Sequence, residues 1–289
     1  MATRSSEPVF IRKTRKIVLP TMKDIHKPPE EFTAYTLLLY GAKGSGKTTG
    51  TLTFPKAINF QWEPMRRNVP GRIQQLKFSI AENIIKTGID PWLDFVDYLE
   101  LACSDDSVST IVVDTVDIAY EACQEHHCVM NGVTHPSMKK DFGKTWTEIR
   151  SDFTATFRTV VNMGKMLVFT SHAKEREQEL MDGFDSLTMV GPSCAGSCAK
   201  VMKQLCDYWF YYGYHDKDRY VTIRDLSRSV EVACGYGFKD SDDNDIDRIL
   251  IPNDPSKFFN TLNNAFKGNS PKKPSPVKKG PVRKLPPSK

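Results

Sequence analysis

Gly41-Ala42-Lys43-Gly44-Ser45-Gly46-Lys47-Thr48 fits G-x-x-x-x-G-K-[ST] at every position. A short apolar run at 35–40 precedes it and a stretch of helical periodicity at 47–53 follows, so the loop sits at a strand-to-helix turn. The chemistry of such a turn explains its residue types. Glycine permits the backbone to wrap so that successive N–H groups point inward around an anion, and the following helix adds its positive N-terminal end. Lys47 is placed to reach the β- and γ-phosphates, and the Thr48 hydroxyl to ligate Mg²⁺. The stretch reads as a nucleoside triphosphate site formed by Gly41, Ala42, Lys43, Gly44, Ser45, Gly46, Lys47, Thr48 and Thr49, with ATP and Mg²⁺ as the expected ligands.

Such a site needs a carboxylate for the metal. Ile111-Val112-Val113-Asp114 supplies one, an apolar run ending in an acid at the carboxyl end of a strand, where doubly wound sheets bind ligands. Thr48 and Asp114 are therefore the expected magnesium ligands. Asp117 reads as a first-turn helix acid. The residue after Asp114 is Thr115, not an acid, so a general base has to come from elsewhere. Glu63, closing the apolar run at 57–62, is the candidate to hold the attacking water, which makes Lys47, Glu63 and Asp114 the expected catalytic set. A further run at 165–170 ends in Thr170-Ser171-His172, polar groups able to sense the γ-phosphate or position water.

Four near-continuous apolar strands, at 35–40, 57–62, 110–114 and 165–170, alternate with helical patterns at 47–53, 91–103, 116–130 and 144–163. That alternation predicts an α/β fold with a mostly parallel, doubly wound sheet covered on both faces. Beyond residue 205 the runs 207–214, 219–224 and 229–234 look like consecutive strands with polar turns, an antiparallel C-terminal extension, followed by a helix at about 255–266.

Charge divides the chain unevenly. The net charge is +5, but the tail from residue 267 to 289 holds eight Lys/Arg, no acid and six prolines. Of the 40 basic residues 32 remain in 1–266, against 35 acidic ones, so the body is acidic. The expected organisation is an irregular basic N-terminal arm at 1–33, a nucleotide-binding core at 34–266 and a disordered basic tail at 267–289. No stretch approaches the ~18 apolar residues of a membrane span, and the polar N-terminus lacks a signal-peptide core. A cytoplasmic protein with no membrane partner is expected. Seven cysteines at irregular spacings then read as reduced thiols.

With these strands and motifs placed, the chain resembles phage-type RecA-like P-loop ATPases, the small RecA/KaiC-related proteins encoded beside phage recombination and replication genes. The resemblance is carried by Leu-Leu-Tyr-Gly-Ala-Lys-Gly-Ser-Gly-Lys-Thr-Thr at 38–49, Phe54-Pro55-Lys56 and Glu63. Ile-Val-Val-Asp-Thr at 111–115, Asp141-Phe142-Gly143 and Val-Phe-Thr-Ser-His at 168–172 complete it. It implies a RecA-like core whose sensor strand lies between the phosphate-loop strand and the Asp114 strand. It also implies ATP hydrolysis by a homo-oligomer acting in single-stranded DNA annealing or recombination, with a single-strand-binding protein as partner, in the host cytoplasm if phage-encoded. By the same resemblance the loops at 131–145 (Lys139, Lys140) and 174–195 (Lys174, Arg176) face DNA, and their size suits mobile loops. The second also carries Glu175, Glu177, Glu179, Asp182 and Asp185, which repel phosphate.

A cation contributed by a neighbouring subunit often assists such hydrolysis, with Lys217, Arg219, Arg224 and Arg228 as candidates. The cluster Cys123, His126, His127 and Cys128, like Cys194, Cys198 and Cys206, lacks a C-x₂-C pair, so buried thiols and surface histidines are expected rather than zinc. Another function remains open: a nucleotide-gated loader or assembly switch recruiting its partner through the tail. A small-molecule kinase is disfavoured, since no Arg-rich lid is present to enclose an acceptor.

Overall fold

The phosphate-loop strand lies at the centre of a ten-stranded sheet, which is why its five residues are buried without alternation. The computed structural model describes residues 27–64, 69–179, 186–194, 196–215 and 218–269. Along the chain these form β1 (Leu37–Gly41), α1 (Lys47–Thr51), β2 (Ala57–Gln61), β3 (Ile73–Gln75), α2 (Ala81–Thr87), α3 (Pro91–Ser104), β4 (Thr110–Asp114) and α4 (Val116–Met130). Then follow α5 (Lys144–Asn162), β5 (Met166–Glu179), β6 (Ser186–Pro192), α6 (Gly196–Leu205), β7 (Tyr208–His215), β8 (Asp218–Thr222), β9 (Ala233–Cys234), β10 (Arg248–Ile251) and α7 (Phe258–Phe266).

The strand order is β10-β8-β7-β1-β5-β4-β2-β3. The pairs from β7 to β3 are all parallel, while β8 and β10 add antiparallel pairs at the C-terminal side. β5 thus lies between β1 and β4, as the RecA-like resemblance implies. The protein has a mostly parallel α/β core with an antiparallel C-terminal extension.

Period-two side-chain alternation splits the interior into two cores. Leu38, Phe60, Ile111, Val113, Leu167 and Phe169 face α3 to α6, where Trp92, Phe95, Phe153 and Phe157 pack beneath them. Leu37, Leu39, Val112, Val168 and Phe210 face the other way, toward α7, with Phe258, Phe259, Leu262 and Phe266. Each such aliphatic or aromatic side chain contributes about 1.5–3 kcal/mol by leaving water. Helix entry is set by side-chain caps. The Asp90 carboxylate accepts the amides of Trp92 and Leu93 ahead of Pro91, and Asp141 accepts those of Gly143, Lys144 and Thr145 at the start of α5.

Three expectations need correction. The segment 174–195, expected to be a mobile loop, is largely a hairpin: β5 continues past Thr170 to Glu179 and pairs antiparallel with β6. The strand expected at 207–214 is not part of the antiparallel addition, because β7 lies parallel to β1. The strand expected at 229–234 shrinks to Ala233–Cys234 on β7. At the ends, residues 1–26 and 270–289 lie outside the described residues, which takes in most of both basic arms. Phe32, inside the expected N-terminal arm, is fully buried against Tyr208, Phe238 and Phe266. No helix among the described residues is long and apolar enough to cross a membrane.

Candidate functional site

The loop between β1 and α1 takes the conformation its glycines permit. Gly44 has φ +85° and Gly46 φ +101°, both in the left-handed region. Gly41 is required for a different reason. A Cβ there would lie 2.0 Å from the Tyr212 carbonyl oxygen, so only glycine lets β1 pass β7 at the mouth of the loop. Ser45, in the middle of the loop, has a buried hydroxyl with no hydrogen-bond partner among the described residues. A buried orphan of this kind suits a ligand oxygen.

Lys47 is 6% exposed and its Nζ donates to the carbonyls of Gly41 (2.8 Å) and Ala42 (3.1 Å). Burial pushes its pKa down, opposed by the nearby carboxylates of Asp114, Glu63 and Asp117. The ammonium is therefore held over the loop by weak neutral acceptors, which an anion readily replaces.

Asp114 ends β4 next to the loop and is 3% exposed. One carboxylate oxygen accepts from Thr48 Oγ1 at 2.5 Å and the other from Thr170 Oγ1, also at 2.5 Å. Thus α1, β4 and β5 converge on a single carboxylate. The Thr48 hydroxyl and Asp114 form a hard-oxygen pair of the type magnesium prefers, so the residues present fit that ion. The peptide bond between Asp114 and Thr115 is cis.

Glu63 follows β2, and β5 brings His172 to it, with Nε2 2.5 Å from Oε1. The structure thereby joins two residues that the sequence placed separately. Behind them Asp117 accepts from Ser193 Oγ (2.8 Å) and Ser171 Oγ (3.2 Å), and burial raises its pKa above the ordinary carboxylate range. It is therefore more than a helix-dipole acid, since it anchors the start of the hairpin.

The loop, Asp114 and the Glu63–His172 pair border a cavity of about 470 Å³. Lys43, Gly44, Gly46, Lys47, Thr48 and Thr49 line it, and so do Glu63, Asp114 and His172. Gly41, Ala42 and Ser45 belong to the loop without forming the cavity wall. Further wall comes from β7 and the segments after it, Tyr212, Arg219, Pro252, Pro255 and Phe258, and from Gln61, Pro64, Val69 and Ile73 on the β2–β3 side. Nothing in the sequence marked the aromatic and proline members of this wall from β7 onward. They lie more than 150 residues from the loop, and only the pairing of β7 with β1 brings them there.

The four basic candidates part company here. Lys217 lies outside the described residues. Arg224 is committed to the carbonyls of Phe238, Ile246 and Gly237 and to Asp245, a structural role. Arg228 is exposed. Arg219 lines the cavity of its own chain, its Nε donating to Tyr214 Oη at 2.8 Å. On the hairpin, Arg176 is held by the carbonyls of Pro192 and Cys194 and by Glu231, so it is not a free cation.

A family model described as AAA domain matches residues 33–251. Among solved structures, a KaiC-like protein from the hyperthermophilic archaeon Pyrococcus horikoshii is similar, at 13% identity with a TM-score of 0.41, covering 78% of this chain and 88% of the other. No curated protein matches the chain.

Proposed function

The chain belongs to the AAA-domain family, and from that premise we propose that it is a magnesium-dependent ATPase whose turnover serves the handling of single-stranded DNA in phage recombination or replication. The observation that carries the ATPase reading is the convergence on Asp114 of hydroxyls from α1 and β5, beneath a glycine loop whose lysine is held only by carbonyls. The DNA and phage parts rest on the sequence resemblance at 38–49, 111–115 and 168–172.

In this reading the triphosphate displaces the Gly41 and Ala42 carbonyls from Lys47, whose ammonium then binds β- and γ-oxygens. Thr48 and Asp114 hold magnesium, which supplies charge neutralisation on the phosphates when bound. Glu63 orients the attacking water, and His172 fixes the carboxylate for it. Tyr212, Phe258 and Pro252 border the cavity as apolar surface on the side where the base would lie.

ATP turnover with and without single-stranded DNA, and with and without a cognate single-strand-binding protein, across a salt series, tests this. Wild type should turn over ATP faster with DNA, and Lys47→Ala should lose turnover in every condition. A wild-type rate indifferent to DNA under all conditions removes the DNA role; absent magnesium-dependent nucleotide binding removes the whole reading.

A second reading keeps the same site as a slow switch that recruits a partner through the basic tail. It is favoured by the occupation of Glu63 by His172 and by Thr115 standing where an acid would speed hydrolysis. Deleting residues 270–289 separates the two. Loss of partner recruitment with annealing intact supports the switch, and loss of annealing supports direct DNA handling.

A further inference from the structure

The helical layer contains a side-chain cluster none of whose members lines the nucleotide cavity. Cys123 and His127 lie four residues apart on α4, which places them on one face of the helix, and α5 brings Asp152 to that face. Cys123 Sγ, His127 Nε2 and a carboxylate oxygen of Asp152 all lie within 4.8 Å of one another. The contacts converge on a single atom. Asp152 Oδ2 takes Trp92 Nε1 at 3.0 Å, His127 Nε2 at 3.1 Å and Cys123 Sγ at 3.9 Å. The Cys123 thiol also reaches Ile149 O at 3.8 Å, so its Sγ stands between two acceptors beside the imidazole.

We propose that Cys123, His127 and Asp152 bind a divalent transition-metal ion, with zinc the ion that the donor set suits best. A thiolate, an imidazole and one carboxylate make a borderline-soft set that zinc accepts in tetrahedral geometry, whereas calcium and magnesium require oxygen throughout. His127 is 15% exposed and Asp152 36% exposed in their side chains, which leaves a path for water as the fourth ligand. Trp92 Nε1 stays on the carboxylate as the outer partner that orients it.

The proton balance is simple. Without metal, Cys123 is a thiol within reach of Ile149 O and Asp152 Oδ2. Binding converts that thiol to a metal-bound thiolate and releases one proton to solvent. The ion then joins α4 to α5, and through Trp92 to α3, three of the helices over one face of the sheet.

Sequence spacing argued against zinc because the cluster Cys123, His126, His127 and Cys128 holds no C-x₂-C pair. The structure makes a different selection. His126 turns to Asp90 at 2.6 Å, and Cys128 stays out of the cluster. Two ligands come from one helix face, and the third lies 25 residues further on.

Cobalt tests the site in the full chain, stripped with a chelator and then titrated with Co²⁺. One equivalent should bind, with the absorption of tetrahedral cobalt and a thiolate-to-cobalt charge-transfer band, both erased by added zinc. Cys123→Ser should abolish the charge-transfer band, Cys128→Ser should retain it, and His127→Gln should weaken cobalt binding by about tenfold or more. Wild type without a charge-transfer band at saturating cobalt overturns the proposal, and this readout needs no variant to fold. A band that persists unchanged in Cys123→Ser, or binding well below one equivalent, overturns it too.

Discussion

His172 Nε2 lies 2.5 Å from Glu63 Oε1, although 109 residues separate them. The contact ties the end of β2 to the point where β5 leaves the sheet core and becomes the hairpin. In the proposed ATPase reading this contact orients the carboxylate toward the attacking water, whereas in the switch reading it keeps the carboxylate occupied. Glu63→Gln should keep magnesium-nucleotide affinity within about twofold while kcat falls about 10²–10⁴-fold, the range of general-base catalysis. His172→Ala should lower kcat by about 10- to 100-fold with little change in KM, since it misplaces Glu63 without removing it. Equal loss in nucleotide binding by both variants would instead assign the pair to binding.

Gly41 and Gly44 make a contrast within one loop. Alanine at 41 meets the Tyr212 carbonyl at 2.0 Å, whereas alanine at 44 meets nothing within 4 Å and suffers only from φ +85°. Gly41→Ala should cost about 1–3 kcal/mol or more by forcing β1 from β7, and Gly44→Ala about 1–2 kcal/mol. Urea midpoints for the two proteins check the order. A Gly44→Ala less stable than Gly41→Ala would contradict the close approach of the strands.

Asp117 gives stability a pH signature. Burial raises its pKa, while the hydroxyls of Ser193 and Ser171 and the nearby His172 favour the anion; Glu121 and Lys47 are its other charged neighbours. A carboxyl whose folded pKa lies above its unfolded value contributes stability that is fully present below the unfolded value. That stability is lost as pH rises through the folded one. The stability of wild type relative to Asp117→Asn should therefore decline as pH rises from the ordinary carboxylate range upward. Chemical denaturation of both proteins at stepped pH measures this. A difference that stays flat or grows with pH contradicts a raised pKa.

Much of this architecture was legible because buried parallel strands read as unbroken apolar runs. Thr110–Asp114 and Val116–Met130 appear with the expected bounds. The loop motif picks out Lys47 and Thr48, and the apolar run at 111–114 picks out Asp114; the fold brings all three to one cavity. What the sequence concealed depends on pairing between distant segments. β3 and β10 are three and four residues long, too short to show periodicity, and β6 becomes a strand only against the polar continuation of β5. The Asp117 contacts to Ser171 and Ser193 span 54 and 76 residues, and no local pattern could announce them.

Phe142 bears on the single-strand reading. It is fully exposed and held at φ +55° between Lys140 and Lys144, where the adjacent Asp141 carboxylate caps the start of α5 and fixes the loop. An exposed aromatic flanked by cations is what a nucleobase stacks on. Phe142→Ala should weaken single-stranded DNA binding by about 1–3 kcal/mol, roughly 5- to 150-fold, and leave ATP turnover without DNA unchanged. Fluorescence anisotropy with a labelled oligonucleotide reads the first effect. Unaltered affinity would remove this loop from the DNA surface.

Arg219 decides whether the cation at the phosphates comes from the same chain. Its guanidinium lies 3.6 Å from where a Cβ on Gly46 would stand, and it lines the same cavity as Lys47. The antiparallel pairing of β8 with β7 holds it beside the loop of its own chain, which favours delivery in cis over the trans arrangement. Arg219→Ala should therefore lower turnover, and mixing it with Lys47→Ala should restore nothing. Each variant lacks one part of a site that a single chain must complete. In a trans arrangement the mixture behaves differently, because an intact Lys47 on one subunit meets an intact Arg219 on its neighbour and up to about a quarter of wild-type turnover returns by random pairing. ATPase assays on mixtures of the two variants, at concentrations spanning any assembly of the chain, distinguish these outcomes. Recovered activity would move Arg219 to the neighbouring subunit's site.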